Sequence, residues 1–359
     1  MAIHVRGTVL PGGERAEFWI DGDRLRHAPV PGAETVADGQ WLLPGLADAH
    51  THPGRGGLGT PLDDLKLGAD LRAHAEAGVA LIRAAGSPDR PLPRAPGIAA
   101  APRIVDAGVP LGVPGQFPPD AGRIVEPAEL PEAAVQHCRD AGDGWCKIYA
   151  DWIVDDETLA EPPITPADAL AEAVRRVHAA GGRVAVHALH RDACRAAVDA
   201  GADSLEHGMW LESRLLPRMA ASGMALTPTI TVWERQREAI MAAAGPLRDF
   251  FLGGIERLPR LAAAAHAAGV TVLAGTDSEP HGRVAEEIRR LAAGPGAMSP
   301  EAALGAGSWA ARRFLGVAAD GLLADGGPAD LVSYDRDPRQ DLSVLDNPGR
   351  VIIGGRVLR

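Results

Sequence analysis

The sequence has few cysteines, no excess of positive charge and no long apolar run. Its three cysteines, at positions 138, 146 and 194, are too scattered for a disulfide framework or a cysteine-type zinc site, so we expect a reducing compartment. The formal net charge of −11 argues against a surface that binds nucleic acid or an anionic membrane. No stretch approaches the roughly 18 apolar residues of a membrane span, and the first residues lack the apolar core of a signal peptide. We therefore expect a cytoplasmic protein without a nucleic-acid or membrane partner.

The chain does contain enough apolar sequence for a large core. It has 359 residues, of which 46% are hydrophobic and 23% are charged, as in ordinary globular proteins. This length suits either one large domain with a small appendage or two domains of ordinary size.

Both ends of the chain have the pattern of short β-strands separated by turns. Residues 1–43 contain several Gly- and Pro-rich turn signals, and Asp21-Gly22 between two apolar segments is typical of a hairpin. The segments 330–334 and 351–358 have the same pattern. We predict that residues 1–43 and 320–359 form one composite β-sandwich domain, and the alternative is a separate hairpin at each end.

Between these ends, an alternation of helix and strand patterns repeats. A helix pattern rich in alanine ends at a glycine, which fits the left-handed residue after a helix, and a β-branched strand follows at once. This occurs before the strands predicted at 79–83, 183–187, 203–207, 224–229 and 270–274. Further strands are predicted around Leu46, at 103–107 and at 145–149. Eight βα units without a GxGxxG motif favour an α/β fold with a (β/α)8 TIM-type barrel over residues 44–319.

The stretch PGLADAHTHP, residues 44–53, carries two histidines on a predicted strand, into which Trp41-Leu42-Leu43 leads. His50 and His52 are two residues apart, so they share one face of the strand, with Cα atoms roughly 6–7 Å apart. This spacing suits two ligands of one metal ion. Such a pair is weak evidence alone.

Polar residues also occur at later strands of the predicted barrel. In a barrel of this kind, function lies at the C-terminal ends of the strands and in the loops that follow, so these side chains would meet at one mouth. Lys147 lies within an apolar strand, and His187, His207 and Asp277 end theirs. With the two earlier histidines, they supply four imidazoles, one carboxylate and one amine.

These motifs resemble those of the metal-dependent amidohydrolase superfamily over nearly the whole chain. The resemblance rests on PGLADAHTHP, on the strand-ending His187 and His207, on GTDS around Asp277, and on GGPADLVSYD at 326–335. Lys147 in WCKIYA, together with SLEHG and the later PHG, is most similar to the branch of imidazolonepropionases and of Xaa-Pro or arginine-type dipeptidases and carboxypeptidases.

The resemblance implies a centre of two divalent ions. Zinc is expected, although manganese, cobalt and iron accept the same ligands. The implied ligands are His50, His52 and Asp277 on the more buried ion, His187 and His207 on the more exposed ion, and Lys147, carboxylated by CO2, as a bridge between the two.

The chemistry of these residue types agrees with the implied roles. A lysine ammonium is a poor neighbour for two dications, whereas its carbamate is an anionic bridging ligand, and burial favours the neutral amine that forms it. Asp277 is expected to be catalytic, accepting the proton of a metal-activated water and returning it to the leaving amine. The expected reaction is hydrolysis of an amide-type C–N bond in a small molecule such as a peptide, an N-acyl amino acid or a cyclic amide.

Further residues are candidates for contact with the substrate. Tyr149 shares a strand face with Lys147 and could polarise a carbonyl, and Arg83 could meet a substrate carboxylate. For each candidate, a purely structural role is the alternative. The full set is Tyr149, Trp152, His190, His281 and Arg83.

The histidines in helix patterns are expected at the surface. They are His74, His137, His178 and His266. Barrels of this type often pair, so a homo-oligomer is also open.

Two other functions stay open. A mononuclear deaminase on the same barrel would lack the lysine bridge and would have a glutamate shortly after the strand-5 histidine, whereas residues 188–191 here read ALHR. A non-catalytic scaffold would have lost ligands. The number of bound metal ions separates these functions: we expect two ions per chain for the binuclear hydrolase, one for the deaminase and none for the scaffold.

Overall fold

The chain alternates strands and helices between two β-rich ends. A computed structural model describes residues 2–93, 97–98, 100–117, 119–318 and 320–359. The strands are β1 Ile3–Val9, β2 Glu14–Asp21, β3 Arg24–Arg26, β4 Glu34–Pro44, β5 Leu46–Thr51, β6 Val79–Ala84, β7 Arg103–Asp106, β8 Leu111–Gly112, β9 Arg123–Ile124, β10 Trp145–Tyr149, β11 Arg183–Ala188, β12 Ser204–His207, β13 Ala225–Thr227, β14 Thr271–Val272, β15 Leu331–Tyr334, β16 Arg350–Ile353 and β17 Arg356–Val357. The α-helices are α1 Asp64–Glu76, α2 Leu130–Ala141, α3 Asp156–Ala160, α4 Ala167–Ala179, α5 Arg191–Ala200, α6 Leu216–Ser222, α7 Ile230–Ala242, α8 Pro246–Ala267, α9 Val284–Leu291, α10 Pro300–Ala306 and α11 Trp309–Phe314. Within the described ranges, no helix combines the length and the apolar character that a membrane span needs.

One seven-stranded sheet combines strands from both ends of the chain. Its order is β17-β16-β15-β4-β1-β2-β3, in which β4 pairs parallel with β1 and antiparallel with β15. The predicted hairpin at Asp21-Gly22 is confirmed, because β2 and β3 pair antiparallel on either side of it. The sheet buries an apolar cluster that includes Val5, Phe18, Leu42, Leu331 and Ile352. The division into domains stays a prediction, and its end residues Met1 and Ala319 lie outside the described residues.

The middle of the chain forms two parallel sheets. One has the order β5-β6-β7, and the other has the order β14-β13-β12-β11-β10-β8-β9. Hydrogen bonds from the Ala49 N–H to the Ala274 carbonyl and from the Asp277 N–H to the His50 carbonyl, both 2.8 Å, link β5 to the segment after β14. All eight predicted strands of this region are present, and the short strands β8 and β9 are additional. The α/β class with parallel sheets is therefore confirmed.

The strand that carries His50 begins later than predicted. Residues Trp41–Leu43 belong to β4 of the terminal sheet, where Pro44 still pairs with Leu331. Gly45 then donates its N–H to the Asp330 carbonyl at 3.0 Å and separates β4 from β5. The prediction of one continuous strand is wrong, because the chain changes sheets at this glycine.

An apolar cluster of small side chains and one indole lies between the parallel sheets. Trp145 of β10 and Ala185 of β11 belong to it. Since side chains two residues apart on a strand share a face, Lys147 and His187 point to the same side as this cluster. The strand pattern thus leads from an apolar interior to polar residues near the strand ends.

We expect Gly45→Ala to lower the free energy of unfolding by about 1–3 kcal/mol. A Cβ atom at this position would lie 2.5 Å from the Cβ of Ala80 in β6, so two packed segments would have to separate. Urea denaturation measures the loss. Gly56→Ala is the matched control, because its added Cβ would meet only the Thr60 hydroxyl at 3.8 Å. Equal stability of the two variants would contradict this account of the junction.

Candidate metal centre

The predicted ligands come from both parallel sheets and from the segment that links them. His50 lies in β5 of the three-stranded sheet, and His52 follows its end. The other four are Lys147 in β10, His187 in β11, His207 at the end of β12 and Asp277 after β14.

The tightest group consists of His50, His52 and Asp277. The Nε2 atom of His52 lies 3.1 Å from Oδ1 of Asp277, and the Nε2 atom of His50 lies 3.6 Å from the same oxygen. Each residue offers one potential ligand atom within 4.8 Å of the other two. Two imidazoles and a carboxylate at this separation fit one zinc-like divalent ion.

Two more imidazoles and the amine adjoin this group. The ring centroids of His187 and His207 are 4.5 Å apart, and that of His207 is 5.2 Å from that of His50. The Nζ atom of Lys147 lies 5.5 Å from the centre of the Tyr149 ring, which is 4.5 Å from the ring of His187. The structure therefore brings the six predicted side chains into one region.

Hydrogen bonds at Nδ1 orient His50 and His52. Nδ1 of His50 donates to a carboxylate oxygen of Glu206 at 2.5 Å, and Nδ1 of His52 donates to the Gly86 carbonyl at 2.8 Å. Because both acceptors can only accept, Nδ1 carries the proton in each ring and Nε2 keeps its lone pair for a metal ion.

Glu206, which the sequence reasoning missed, forms a buried ion pair with Arg83. Nη2 of Arg83 lies 2.6 Å from both carboxylate oxygens of Glu206, and its Nε donates to the Ala49 carbonyl at 2.7 Å. Burial alone would raise the pKa of Glu206, but Arg83, His50 and Lys147 outweigh it and hold that pKa well below its usual value. The predicted contact of Arg83 with substrate is wrong, because its guanidinium is fully buried and bound to Glu206.

Burial keeps all four imidazoles neutral. Desolvation lowers the pKa of His52 to about 4 and that of His207 to about 3. It also lowers the pKa of His50, and it lowers that of His187 well below the ordinary value. Neutral imidazole is the form that binds a metal ion, so these rings fit the implied role.

Lys147 is a buried amine without a hydrogen-bond partner among the described atoms. Desolvation lowers its pKa to about 8, against the opposing charges of Glu206 and Asp277. A buried, unpaired ammonium is unfavourable, whereas a neutral amine can react with CO2. This orphaned nitrogen therefore fits a bridging carbamate.

Asp277 is held in an uncommon backbone conformation. Its φ of 48° is in the left-handed region, as are those of His207, the last residue of β12, and Thr229, which follows β13. Such conformations cluster at functional sites, where surrounding contacts maintain them. Nδ1 of His207 lies 2.7 Å from the Thr229 hydroxyl, so two of these residues support each other.

Asp48 is a second buried carboxylate that sequence reasoning missed. It accepts hydrogen bonds from the Thr276 N–H at 3.0 Å and the Thr276 hydroxyl at 2.7 Å. Burial raises its pKa to about 7. Asp48 thus fixes the backbone beside Asp277.

Two predicted substrate residues lie beside His187. The ring of Tyr149 is 4.5 Å and that of Trp152 is 6.1 Å from the His187 ring, measured between centroids. His190 instead begins α5, where its Nδ1 accepts the Asp192 N–H at 3.2 Å. Its contact with substrate stays a prediction.

His281 and His74 form a buried pair on the α1 side of β5. Nδ1 of His281 lies 3.0 Å from the Thr51 hydroxyl and its Nε2 lies 3.4 Å from Asp70 of α1, which favours the structural alternative over substrate contact. His74 was expected at the surface, and that prediction is wrong, because its ring is buried 5.2 Å from that of His281. His137 is also buried, whereas His178 and His266 are exposed.

Comparisons with known proteins identify similar sequences and similar folds. The sequence profile of the amidohydrolase family matches residues 41–358. An uncharacterized protein of Mycobacterium tuberculosis is 38% identical over 369 residues, which cover 99% of this chain and 95% of that protein. A Xaa-Pro dipeptidase with methionine bound in its active site has a similar structure, with a TM-score of 0.83, 21% identity and complete coverage of both chains. Ochratoxinase of Aspergillus niger has a TM-score of 0.83 and 20% identity, covering 100% of this chain and 95% of that one.

We expect Glu206→Gln to lower the free energy of unfolding by about 3–5 kcal/mol, because Arg83 would keep a buried charge without its counter-ion. Urea denaturation measures the loss. Glu172→Gln, which removes a surface ion pair with Arg175, is the matched control and should leave stability nearly unchanged. The double variant Arg83→Met/Glu206→Gln should recover most of the loss, and a double variant as unstable as the single one would contradict this assignment.

We also expect His74→Gln to reduce the dependence of stability on pH. Desolvation lowers the pKa of His74 to about 3 in the folded protein, against 6.5 for the ordinary side chain. Between these values only the unfolded chain binds the proton, so stability falls as the pH falls, by up to about 1.4 kcal/mol per pH unit. Urea denaturation between pH 6 and 4 should give a shallower slope for His74→Gln than for the wild type. His266→Gln, at an exposed position, should keep the wild-type slope, and three equal slopes would contradict the neutral burial of His74.

Proposed function

The chain belongs to the amidohydrolase family and is a hydrolase that acts on C–N bonds, and we propose that it is a binuclear metal-dependent enzyme that cleaves an amide-type bond of a small molecule. The observation that carries this proposal is the group formed by His50, His52 and Asp277, with two further imidazoles and an unpaired amine beside it. Members of this family generally bind divalent metals.

We propose one ion on His50, His52 and Asp277 and a second on His187 and His207. The neutral state of the imidazoles and the unprotonated Nε2 atoms of His50 and His52 support this division. Zinc is the proposed metal, and manganese, cobalt or iron would suit the same ligands.

We propose that Lys147 carries a carbamate that bridges the two ions. The neutral Nζ attacks the carbon of CO2, a nitrogen–carbon bond forms, and one proton is released. Two observations support the reaction: Nζ is buried without a partner among the described atoms, and Arg83 occupies the nearby Glu206. The product is an anion, which offsets the charge of two dications.

Asp277 is proposed to move the proton during hydrolysis. The bound ions would supply Lewis acidity, which polarises the scissile carbonyl and lowers the pKa of the attacking water. Oδ1 of Asp277 adjoins the Nε2 atoms of His50 and His52, so Oδ2 is the oxygen that accepts the proton of the water. The same oxygen then delivers this proton to the nitrogen of the leaving amine.

The proposed substrates are a peptide, an N-acyl amino acid or a cyclic amide. The similarity to a Xaa-Pro dipeptidase and to ochratoxinase supports this range.

We further infer that the two parallel sheets are parts of one closed (β/α)8 barrel, which the hydrogen bonds between β5 and residues 273–277 support. The composite domain of residues 1–43 and 320–359 and the cytoplasmic location belong to the same proposal.

The carbamate can be tested directly, because Lys147 is one of only two lysines in the chain, the other being Lys66. We expect protein loaded with zinc and 13C-labelled bicarbonate to show a carbamate signal by 13C NMR, and metal analysis to give about two ions per chain. Lys147→Ala should lose the signal and at least one ion, and its amidase activity should fall by about 100-fold or more. Lys66→Ala is the matched control and should keep the signal and both ions.

Three outcomes would contradict the proposal in different ways. A Lys147→Ala protein with full activity and two ions would exclude the bridge. One ion in the wild type would favour a mononuclear deaminase on the same fold. A wild type without ions in the presence of zinc would exclude metal-dependent hydrolysis.

A further inference from the structure

Aromatic side chains are scarce in this chain, and half of them belong to two series of ring contacts that begin at the candidate metal centre. The sequence has seven tryptophans, five phenylalanines and two tyrosines. Ring contacts connect seven of these fourteen side chains to His187 or His207. A first group consists of Phe117, Tyr149 and Trp152, and a second group consists of Trp210, Trp233, Phe250 and Phe251.

The first group lies against His187. The ring of Tyr149 is 4.5 Å from that of His187, and Trp152 contacts both rings at 5.7 and 6.1 Å. Phe117 packs edge-on behind Tyr149 at 4.7 Å. Trp152 is only partly buried, so its indole presents apolar surface outside the packed core.

The second group lies against His207. The Trp233 ring meets that of His207 edge-on at 5.6 Å and stacks on Phe251 at 5.5 Å with an interplanar angle of 27°. Trp233 is 8% exposed, and its Nε1 has no hydrogen-bond partner among the described atoms. A buried N–H without a partner costs about 1–3 kcal/mol, so this donor is suited to an acceptor on a bound molecule.

Further rings extend the second group away from His207. Phe251 contacts Phe250 at 5.3 Å, and Phe250 contacts Trp210 at 5.5 Å. Trp210 and Phe250 line a cavity of about 480 Å³ together with Leu159 and His190. The apolar surface therefore continues from the metal centre toward the loops after β11 and β12.

The two groups converge where the rings of His187 and His207 lie 4.5 Å apart. From these contacts we propose that the substrate is an amide with a planar aromatic group next to the scissile bond, held by Trp152 and Trp233. Aromatic faces attract flat rings by stacking and edge contacts, beyond the effect of area buried. The Nε1–H of Trp233 donates to a polar atom of the same molecule. The reaction rests on the proposed hydrolase function, whereas the recognition of an aromatic ring does not.

Paired substrates test this specificity in the zinc-loaded enzyme. The first pair is N-benzoylglycine and N-cyclohexanecarbonylglycine, and the second is N-acetylphenylalanine and its cyclohexyl counterpart. We expect kcat/KM to be about 3–10-fold higher for the aromatic member of a pair, because stacking contributes about 0.5–1.5 kcal/mol beyond burial. A preference for the aromatic member in one of the two pairs suffices to support the proposal, and that pair shows on which side of the amide the ring lies. Equal rates within both pairs would overturn it, while any hydrolysis at all would leave the hydrolase function standing.

Variants assign the preference to particular rings. Trp152→Ala and Trp233→Ala should raise KM for the preferred aromatic substrate by about tenfold and change kcat much less, so that the aromatic preference disappears. Trp233→Phe keeps the ring without the N–H and should retain the stacking preference with an intermediate KM. Trp19→Ala, in the terminal sheet, is the matched control and should behave as the wild type. Loss of kcat alone, with the preference intact in every variant, would overturn the assignment.

Binding measured without turnover separates the two proposals. Isothermal titration calorimetry of the zinc-loaded protein should give tighter binding of benzoate than of cyclohexanecarboxylate, with the difference lost in Trp152→Ala and Trp233→Ala. Circular dichroism establishes that each variant is folded. Tighter benzoate binding without amide hydrolysis would support aromatic recognition and contradict the hydrolase function, whereas equal binding of the two acids would overturn aromatic recognition.

Discussion

The candidate metal centre depends on one hydrogen bond, from Nδ1 of His50 to the carboxylate of Glu206. Glu206 can stay ionised in the interior only because Arg83 contacts both of its oxygens and compensates its charge. The bond fixes the orientation and tautomer of the His50 ring, so that Nε2 faces Asp277. Removing either Arg83 or Glu206 would leave the charge of the other uncompensated near Lys147, so the ion pair and the centre form one electrostatic unit.

The candidate site was largely predictable from the sequence, since its residues either follow a period of two or end a strand. The Arg83–Glu206 pair was not, because it joins residues 123 positions apart and no local pattern indicates such a contact. A signal was nevertheless available: Glu206 is an acidic residue within the buried strand that leads to His207, and buried carboxylates are rarely without a partner. The same signal would have shown that Arg83, in an apolar strand, faces a charge inside the protein.

The fold was predictable to the level of its elements and less so at their boundaries. The glycines after the helices located five strands of the middle region, and apolar segments located three more, whereas the short strands β8 and β9 were missed. The change of sheets at Gly45 was missed, because apolar residues flank it on both sides and only tertiary pairing separates β4 from β5. The burial of His74 was not predicted, although helix geometry indicates it, since Leu67, Leu71 and Ala75 lie on the same face of α1 and are also buried.

The proposed ligands come from two sheets and from the segment that links them: His50 and His52 on one side, Lys147, His187 and His207 on the other, and Asp277 in the segment after β14. No continuous ladder of hydrogen bonds joins these sheets in the described residues. Ions bound by ligands from both sheets would therefore hold the two sheets together. Binding then requires that both sheets have already assembled, and an ion that binds only the assembled chain draws the folding equilibrium toward it. Metal supply in the cell would in that case govern how long the chain survives as well as how fast it turns over substrate.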